Sequence, residues 1–354
     1  MTISQTETLS IKTPETTHSG YFQQIIASIL PQYDQILRSY ALFNIAFLSL
    51  GFVEFILLIV FFTFLTQSAI LAFSLAFVFL TFFSYFILRL YFHAQKPEQL
   101  QEIRDKYIRA AKGILQYKEG VSEHNIALAS TCSKLSDALV GREYTYFTPP
   151  AQFVFLKPYL ERLSCWCHWH DVHQMRELLL ISAIEENIKL VKGEPTSLDT
   201  HAALANSYIM LSVLYADPRK SEGIHDEQWV PNDAFSPELA KKFRITAERA
   251  IEEFKIINDF APDDLWVHAQ LAYSYHDLQM PLEEIREYEL LLKIHSDDVD
   301  TLLRLGILYF QQGMNSKGLC VYEDLKSLDT RKADELIKFY GYKSMQNSIN
   351  SFVQ

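Results

Sequence analysis

The sequence predicts an all-α chain: a two-helix transmembrane hairpin followed by a helical-repeat solenoid. Three observations lead there. Residues 41–88 form an almost unbroken apolar run inside a chain of 354 residues that is 49% apolar overall. Elsewhere apolar residues recur with helical spacing rather than alternation. Segments of the polar part also resemble one another at an interval of about 34 residues, or about twice that. A net charge of −11 argues against a nucleic-acid partner, because neutralising phosphates needs a basic face. Four cysteines in a chain of this length make no disulfide framework and fit a reducing compartment.

The leader, 1–20, is rich in Ser and Thr, lacks an apolar period and is expected to be disordered. From Tyr21 to Tyr40, Phe22, Ile25, Ile26, Ile29, Tyr33, Ile36 and Leu37 fall at helical spacing. This amphipathic helix either lies at a membrane interface or packs on the soluble part, with Pro31 expected to kink or split it.

The run 41–88 would make a helix of about 72 Å, more than twice a hydrocarbon core of about 30 Å. Two spans, about 41–65 and 69–91, fit it, with a break near Thr66-Gln67-Ser68 and the hairpin ending by 92. The run is too long, and begins too late, for a signal peptide. Arg38 precedes the first span. Arg89, Lys96, Arg104, Lys106, Arg109 and Lys112 follow the second, and the turn has no basic residue. The positive-inside tendency then puts both termini in the cytoplasm, and a bacterial inner membrane is the expected location. Tyr40 and Tyr91 stand where interfacial aromatics belong.

Glu54 is the one side chain of 41–88 that ionises at neutral pH. A charge near mid-depth costs at least about 2–3 kcal/mol. The expectation is therefore a neutral acid, or one hydrogen-bonded across the hairpin to Thr81 or Ser84. A polar clip between helices or protomers fits better than an ion path, since two spans enclose no pore.

Two further helices, about 97–118 and 122–141, and a connector at 144–153 stopped by Pro149-Pro150 make up a membrane-proximal segment, 97–163. In the region that follows, "HAALANSY" (201–208) returns as "HAQLAYSY" (268–275). Leu271, Ala272 and Tyr275 return one short interval further on as Leu305, Gly306 and Tyr309, and Tyr288 and Leu291 as Tyr322 and Leu325. Ala183 and Ala250 are separated by the longer interval, the same that separates His201 from His268. "LRLGILYFQQG" (303–313) and "AIEEFKIINDFAP" (250–262) carry the pattern best.

These segments resemble the tetratricopeptide repeat family, whose helix–turn–helix unit of about 34 residues has small residues that let neighbouring helices approach closely. The resemblance covers 164–332. It has a degenerate first unit, an insertion at 215–239, and a capping helix with tail at 333–354. It implies protein or peptide binding and places a partner groove at His201, Tyr208, His268, Tyr275, His276 and Arg304. Asn206 and Arg304 suit carboxylate capture as in chaperone-binding members, but Ala202, Gln270 and Asp300 depart from that pattern. The acidic pairs at 252–253 and 283–284 read as solvated helix faces.

"SCWCHWHDVH" (164–173) offers Cys165, Cys167, His168, His170 and His173 as candidate metal ligands, with His170 and His173 on one helical face. The spacing lacks the paired cysteines of zinc sites, so a helix that buries tryptophans and thiols is favoured and no cofactor is expected. No phosphate loop or nucleophile elbow appears, and a non-enzymatic role follows. The sequence therefore points to a membrane-anchored adaptor or scaffold that binds protein partners beside the lipid bilayer. Two alternatives remain. One is a metal-dependent enzyme built on 165–173. The other is a secreted protein facing host cytosol, because the leader and paired hydrophobic lobes resemble in layout the inclusion membrane proteins of chlamydia-like intracellular bacteria.

Overall fold

A computed structural model describes residues 15–60, 68–147, 149, 151–218 and 229–341. The leader before Glu15, the turn residues Thr66 and Gln67, Pro150 of the connector, the middle of the 215–239 insertion and the tail beyond residue 341 lie outside them. Among the described residues the chain is all-α, with no strand. Two long apolar helices come first and a helical-repeat region follows. We number the helices α1 (Glu15–Val60), α2 (Ser68–Leu115), α3 (Ser122–Ala138), α4 (Lys157–Gly193), α5 (Leu198–Tyr215), α6 (Pro237–Phe260), α7 (Leu265–Asp277), α8 (Pro281–Ile294), α9 (Val299–Gln311), α10 (Asn315–Leu328) and α11 (Thr330–Leu336). Two compact units are present. One comprises 1–193 with 214–239, and the other 194–213 with 240–354.

In the first unit the sequence elements fuse. The amphipathic segment and the first apolar stretch are one 46-residue helix that passes through Pro31 and begins inside the stretch expected to be disordered. The second stretch and the segment after it are one 48-residue helix that passes through Pro97. A proline removes one helical hydrogen bond and clashes with the preceding turn. Here packing on both sides outweighs that cost. Phe22, Ile25, Ile29, Tyr33 and Leu37 of α1 form one buried face. They meet Leu100, Ile103, Tyr107 and Ala111 of α2, with Leu128 and Leu135 of α3 and Val172, Met175 and Leu179 of α4. The amphipathic segment thus packs on the polar half of the unit. Asp34 strengthens the join by accepting two 2.8 Å hydrogen bonds from Arg142.

Beyond this core the apolar parts of α1 and α2 meet each other, as the Thr81–Glu54 and Tyr85–Asn44 contacts show. Both helices are long and apolar enough to cross a membrane, and no residue of their most apolar windows is buried. Exposed along them are Leu48, Phe52, Phe55, Phe73, Phe79 and Phe82.

In the second unit the repeat is regular in its placing of elements. Helices α7 and α8 return as α9 and α10, each start displaced by the same short interval, from Leu265 to Val299 and from Pro281 to Asn315. The turn chemistry returns with them. Asp264 and Asp298 cap the first helices by accepting from the backbone N–H groups two and three residues on. Gln279 and Gly313 end those helices with φ of 57° and 77°. The N–H groups of Met280 and Met314 then return to the carbonyls of Tyr275 and Tyr309.

Small residues allow the close approaches that the sequence suggested. A Cβ on Gly306 would stand 2.6 Å from Leu336 of α11, and one on Gly318 would stand 2.5 Å from the Phe310 ring. Helix α11 and Leu336 close this core, at the start of the region 333–354 expected to cap the repeats.

The degenerate first repeat does not exist as a helix pair. Residues 157–193 form a single 37-residue helix.

Candidate functional site

Three groups of residues carry the polar chemistry. The first lies between α1 and α2. Thr81 Oγ1 donates to Glu54 Oε1 at 2.7 Å, and Tyr85 OH donates to Asn44 Oδ1 at 3.2 Å. Glu54 Oε2 is shielded and has no partner among the described residues. It borders an open cavity of about 650 Å³ lined by Phe47, Gly51, Phe52, Phe55 and Phe82. Ser84 lies one turn further along α2 from Thr81, and the bond to the acid comes from Thr81.

The second group is the Cys/His stretch at the start of α4. A single helix turns successive side chains by about 100° each, so a run of neighbours fans out instead of converging. Cys165 is buried, and burial pushes its thiol up to about 11 despite a hydrogen bond with Tyr144 that acts the other way. Burial also raises Cys167.

His168 is buried against the Tyr146 and Phe147 rings, with ring centroids 4.7 and 5.6 Å away, and lies 3.9 Å from Asp171. His170 is exposed, and His173 stacks on Trp169 at 4.7 Å. Among the described residues no three His, Cys, Asp or Glu side chains come together as a metal site would need. Cys165, Cys167, His168, His170 and His173 thus spread around one helix. The stretch instead joins helices. Asp171 accepts from Lys96 of α2 at 2.8 Å. Burial alone would raise Asp171, but the His168 ring and the Lys96 ammonium outweigh it and hold the carboxyl below its ordinary value.

The third group corrects the groove. His201 and His268 are interior residues with the same two kinds of partner, one long repeat interval apart. His201 Nδ1 meets Glu253 at 2.6 Å and its Nε2 meets Pro195 O at 3.0 Å. His268 Nδ1 meets Glu287 at 2.7 Å and its Nε2 meets Pro262 O at 2.8 Å. A carbonyl only accepts, so Nε2 carries a hydrogen. The carboxylate contact then needs a second proton between Nδ1 and Glu. Each histidine thus ties the turn before its own helix to the next helix, and neither is free to meet a partner. The repeat after that of His268 has Leu302 and Val321 at these positions, both in one apolar core.

Tyr275 is likewise buried, so it belongs to the seam and not to a groove. Tyr208 is half-buried against the same core. His276 and Arg304 are exposed. His276 Nδ1 meets buried Glu284 at 3.0 Å, which raises its pKa. The Arg304 guanidinium lies 5.4 Å over the ring of Tyr273, an exposed residue the sequence reading passed over. Tyr273 follows Leu271-Ala272 by one position, and its outward place could have been read from the repeat frame. Glu253 and Glu284, taken for solvated faces, are the partners of His201 and His276.

Two long apolar helices with a helical-repeat region define the class of the molecule. No protein-family model matches the chain, and no curated protein matches it. Among solved structures it is similar to a monomeric mutant of IFIT1 with Gppp-AAAA, at TM-score 0.33 and 13% identity over 68% of this chain and 60% of that one. A second monomeric IFIT1 mutant, with m7Gppp-AAAA, is similar at TM-score 0.33 and 12% identity, over 73% of this chain and 63% of that one. The chain thus spans less than two thirds of either matched chain.

Proposed function

We propose that the protein is a membrane-anchored adaptor of tetratricopeptide-repeat type. Helices α1 and α2 cross the bilayer as a hairpin with both termini on the cytoplasmic side, and the exposed side chains of the repeats bind a protein partner. One observation carries this reading: a recurring helix pair follows two long apolar helices whose outward faces no protein covers among the described residues. Basic residues on one side of the hairpin support the orientation. Tyr273, His276 and Arg304 form the partner surface. They are exposed on consecutive first helices of the repeats, and an aromatic with an arginine is the pairing that binding hot spots favour.

The test is proximity labelling with full-length protein in its own membrane, comparing wild type with a Tyr273→Ala/Arg304→Ala variant. The variant should stay in the membrane through carbonate extraction and lose its specific neighbours. Recovery of the same neighbours from both would show that the surface is assigned wrongly.

A further inference from the structure

An apolar strip at the start of α4, made by Tyr159, Leu163 and Trp166, is exposed among the described residues. Tyr159 and Trp166 are 68 and 65% exposed, Leu163 between them is 45% exposed, and Phe155, one turn earlier, is 68% exposed. Spacings of four and three put Tyr159, Leu163 and Trp166 on one side of the helix. A water-facing surface seldom carries a continuous aromatic strip of this kind.

Two contacts show where the strip lies within its unit. Lys96 Nζ meets Asp171 Oδ2 at 2.8 Å, and Tyr117 OH, just past the end of α2, reaches Glu186 Oε2 at 3.5 Å. Residue numbers rise together along both helices, so α4 runs parallel to α2. Going back from the Lys96–Asp171 pair, Trp166 and Tyr91 stand at equal offsets, about 7.5 Å along the axis. Leu163 and Tyr159 follow in the same direction, toward the apolar stretch of α2. The surroundings of Cys167 agree. Burial raises its thiol, and both Lys96 and Arg89 are near enough to oppose that rise.

We infer that residues 154–166 are a third membrane contact: an interfacial element whose aromatic strip seats in the headgroup–acyl boundary of the leaflet that α1 and α2 enter. The inference rests on the reading of α1 and α2 as membrane spans. Tryptophan and tyrosine suit this boundary because each joins an apolar ring to a polar tip. The backbone limits the depth. The chain before α4 is a short 3-10 helix, Ala151–Leu156, and lipid-exposed irregular backbone is not tolerated in hydrocarbon. Lys157 and Arg162 are exposed beside the strip, where their stems can lie along apolar surface and their charges reach lipid phosphates. The polar half of the first unit would then rest on the membrane and not swing freely below it.

The test uses full-length protein in vesicles of phosphatidylcholine with brominated or ordinary acyl chains, read by tryptophan fluorescence. Trp166→Phe should lose most of the bromine-quenchable signal, and adding Phe155→Trp or Tyr159→Trp should restore it. Phe79→Trp, on the outward face of α2, tests the spans themselves. If Phe79→Trp is quenched while Trp166→Phe matches wild type and Phe155→Trp responds only to aqueous acrylamide, the inference falls and the spans stand. If Phe79→Trp is not quenched, the membrane reading falls with it. Shielding of Phe155→Trp from both bromine and acrylamide would mean that protein covers the strip, which also overturns the inference.

Discussion

The hairpin and the repeat unit place the same residue types in opposite positions. In the hairpin Phe73 and Phe82 are 74 and 68% exposed, whereas in the repeats Phe254 and Phe310 are wholly buried. The polar groups differ in the same sense. Glu54 and Thr81 face each other between two apolar helices, while the exposed helix surfaces of the repeats carry pairs such as Arg244–Glu248. Both regions are helical, so helix propensity does not separate them; the environment that completes their burial does. A repeat helix finds its cover in the next helix, which is why the pattern must recur. The hairpin finds none among the described residues, and the bilayer proposed for it is a solvent in which its exposed phenylalanines would cost nothing.

The largest expected effect breaks this contrast directly. Phe310→Ala should cost about 3–5 kcal/mol, since it empties a core position whose ring fills the space a side chain at Gly318 would need. Phe82→Ala, equally large as a truncation, should change repeat stability by less than about 0.5 kcal/mol because its ring packs outside that unit. Urea titration of full-length protein in nanodiscs, followed by tryptophan fluorescence, would measure both. Comparable losses would mean that the two regions do not differ as described.

A smaller effect sharpens what holds the repeats together. His268→Ala leaves Glu287 and the Pro262 carbonyl without their donor and should cost about 1–3 kcal/mol. The paired change His268→Leu/Glu287→Val copies Leu302 and Val321 of the next unit. It should return stability to within about 1 kcal/mol of wild type, because an apolar pair replaces a buried ion pair without loss when the volume is kept. A double variant as unstable as the single one would show that the ion pair is not exchangeable with the apolar contact.

Much of this was legible in the sequence for a physical reason. The repeat is a short local pattern, and the Asp caps, the small residues and the tyrosines all carry the same period. The apolar run needed only its length. Helix boundaries were less legible. Pro31 and Pro97 signal breaks locally, and they are overruled by a face running from Phe22 to Leu37 that packs against residues far along the chain, such as Leu100 and Leu128. The single helix over 157–193 was missed for the same kind of reason, since nothing local distinguishes a degenerate helix pair from one continuous helix.

Of the candidate site, His276 and Arg304 were placed on the surface where they stand, but His201, His268 and Tyr275 were not. Recurrence at repeat spacing marks shared packing as readily as shared exposure. The prolines shortly before each histidine, Pro195 and Pro262, and the glutamates on the following helices were the signal that distinguishes the two.

The smallest expected effect concerns His276, whose exposure limits it. Its hydrogen bond to Glu284 raises its pKa, with Asp277 adding to the rise and burial and Arg304 opposing it. A group whose folded value is raised stabilises the fold below its unfolded value, near about 6.5, and that contribution disappears as pH climbs through the folded value. Wild type should therefore lose a little more stability than His276→Gln between about pH 6 and pH 8. Taking the difference between the two chains removes the contribution of groups common to both. Parallel stability curves for wild type and variant across that range would leave the His276–Glu284 contact without energetic weight. The surface around Tyr273 and Arg304 would then be held by the cation–π contact and by the Tyr288 hydroxyl beside Arg304, and not by the histidine.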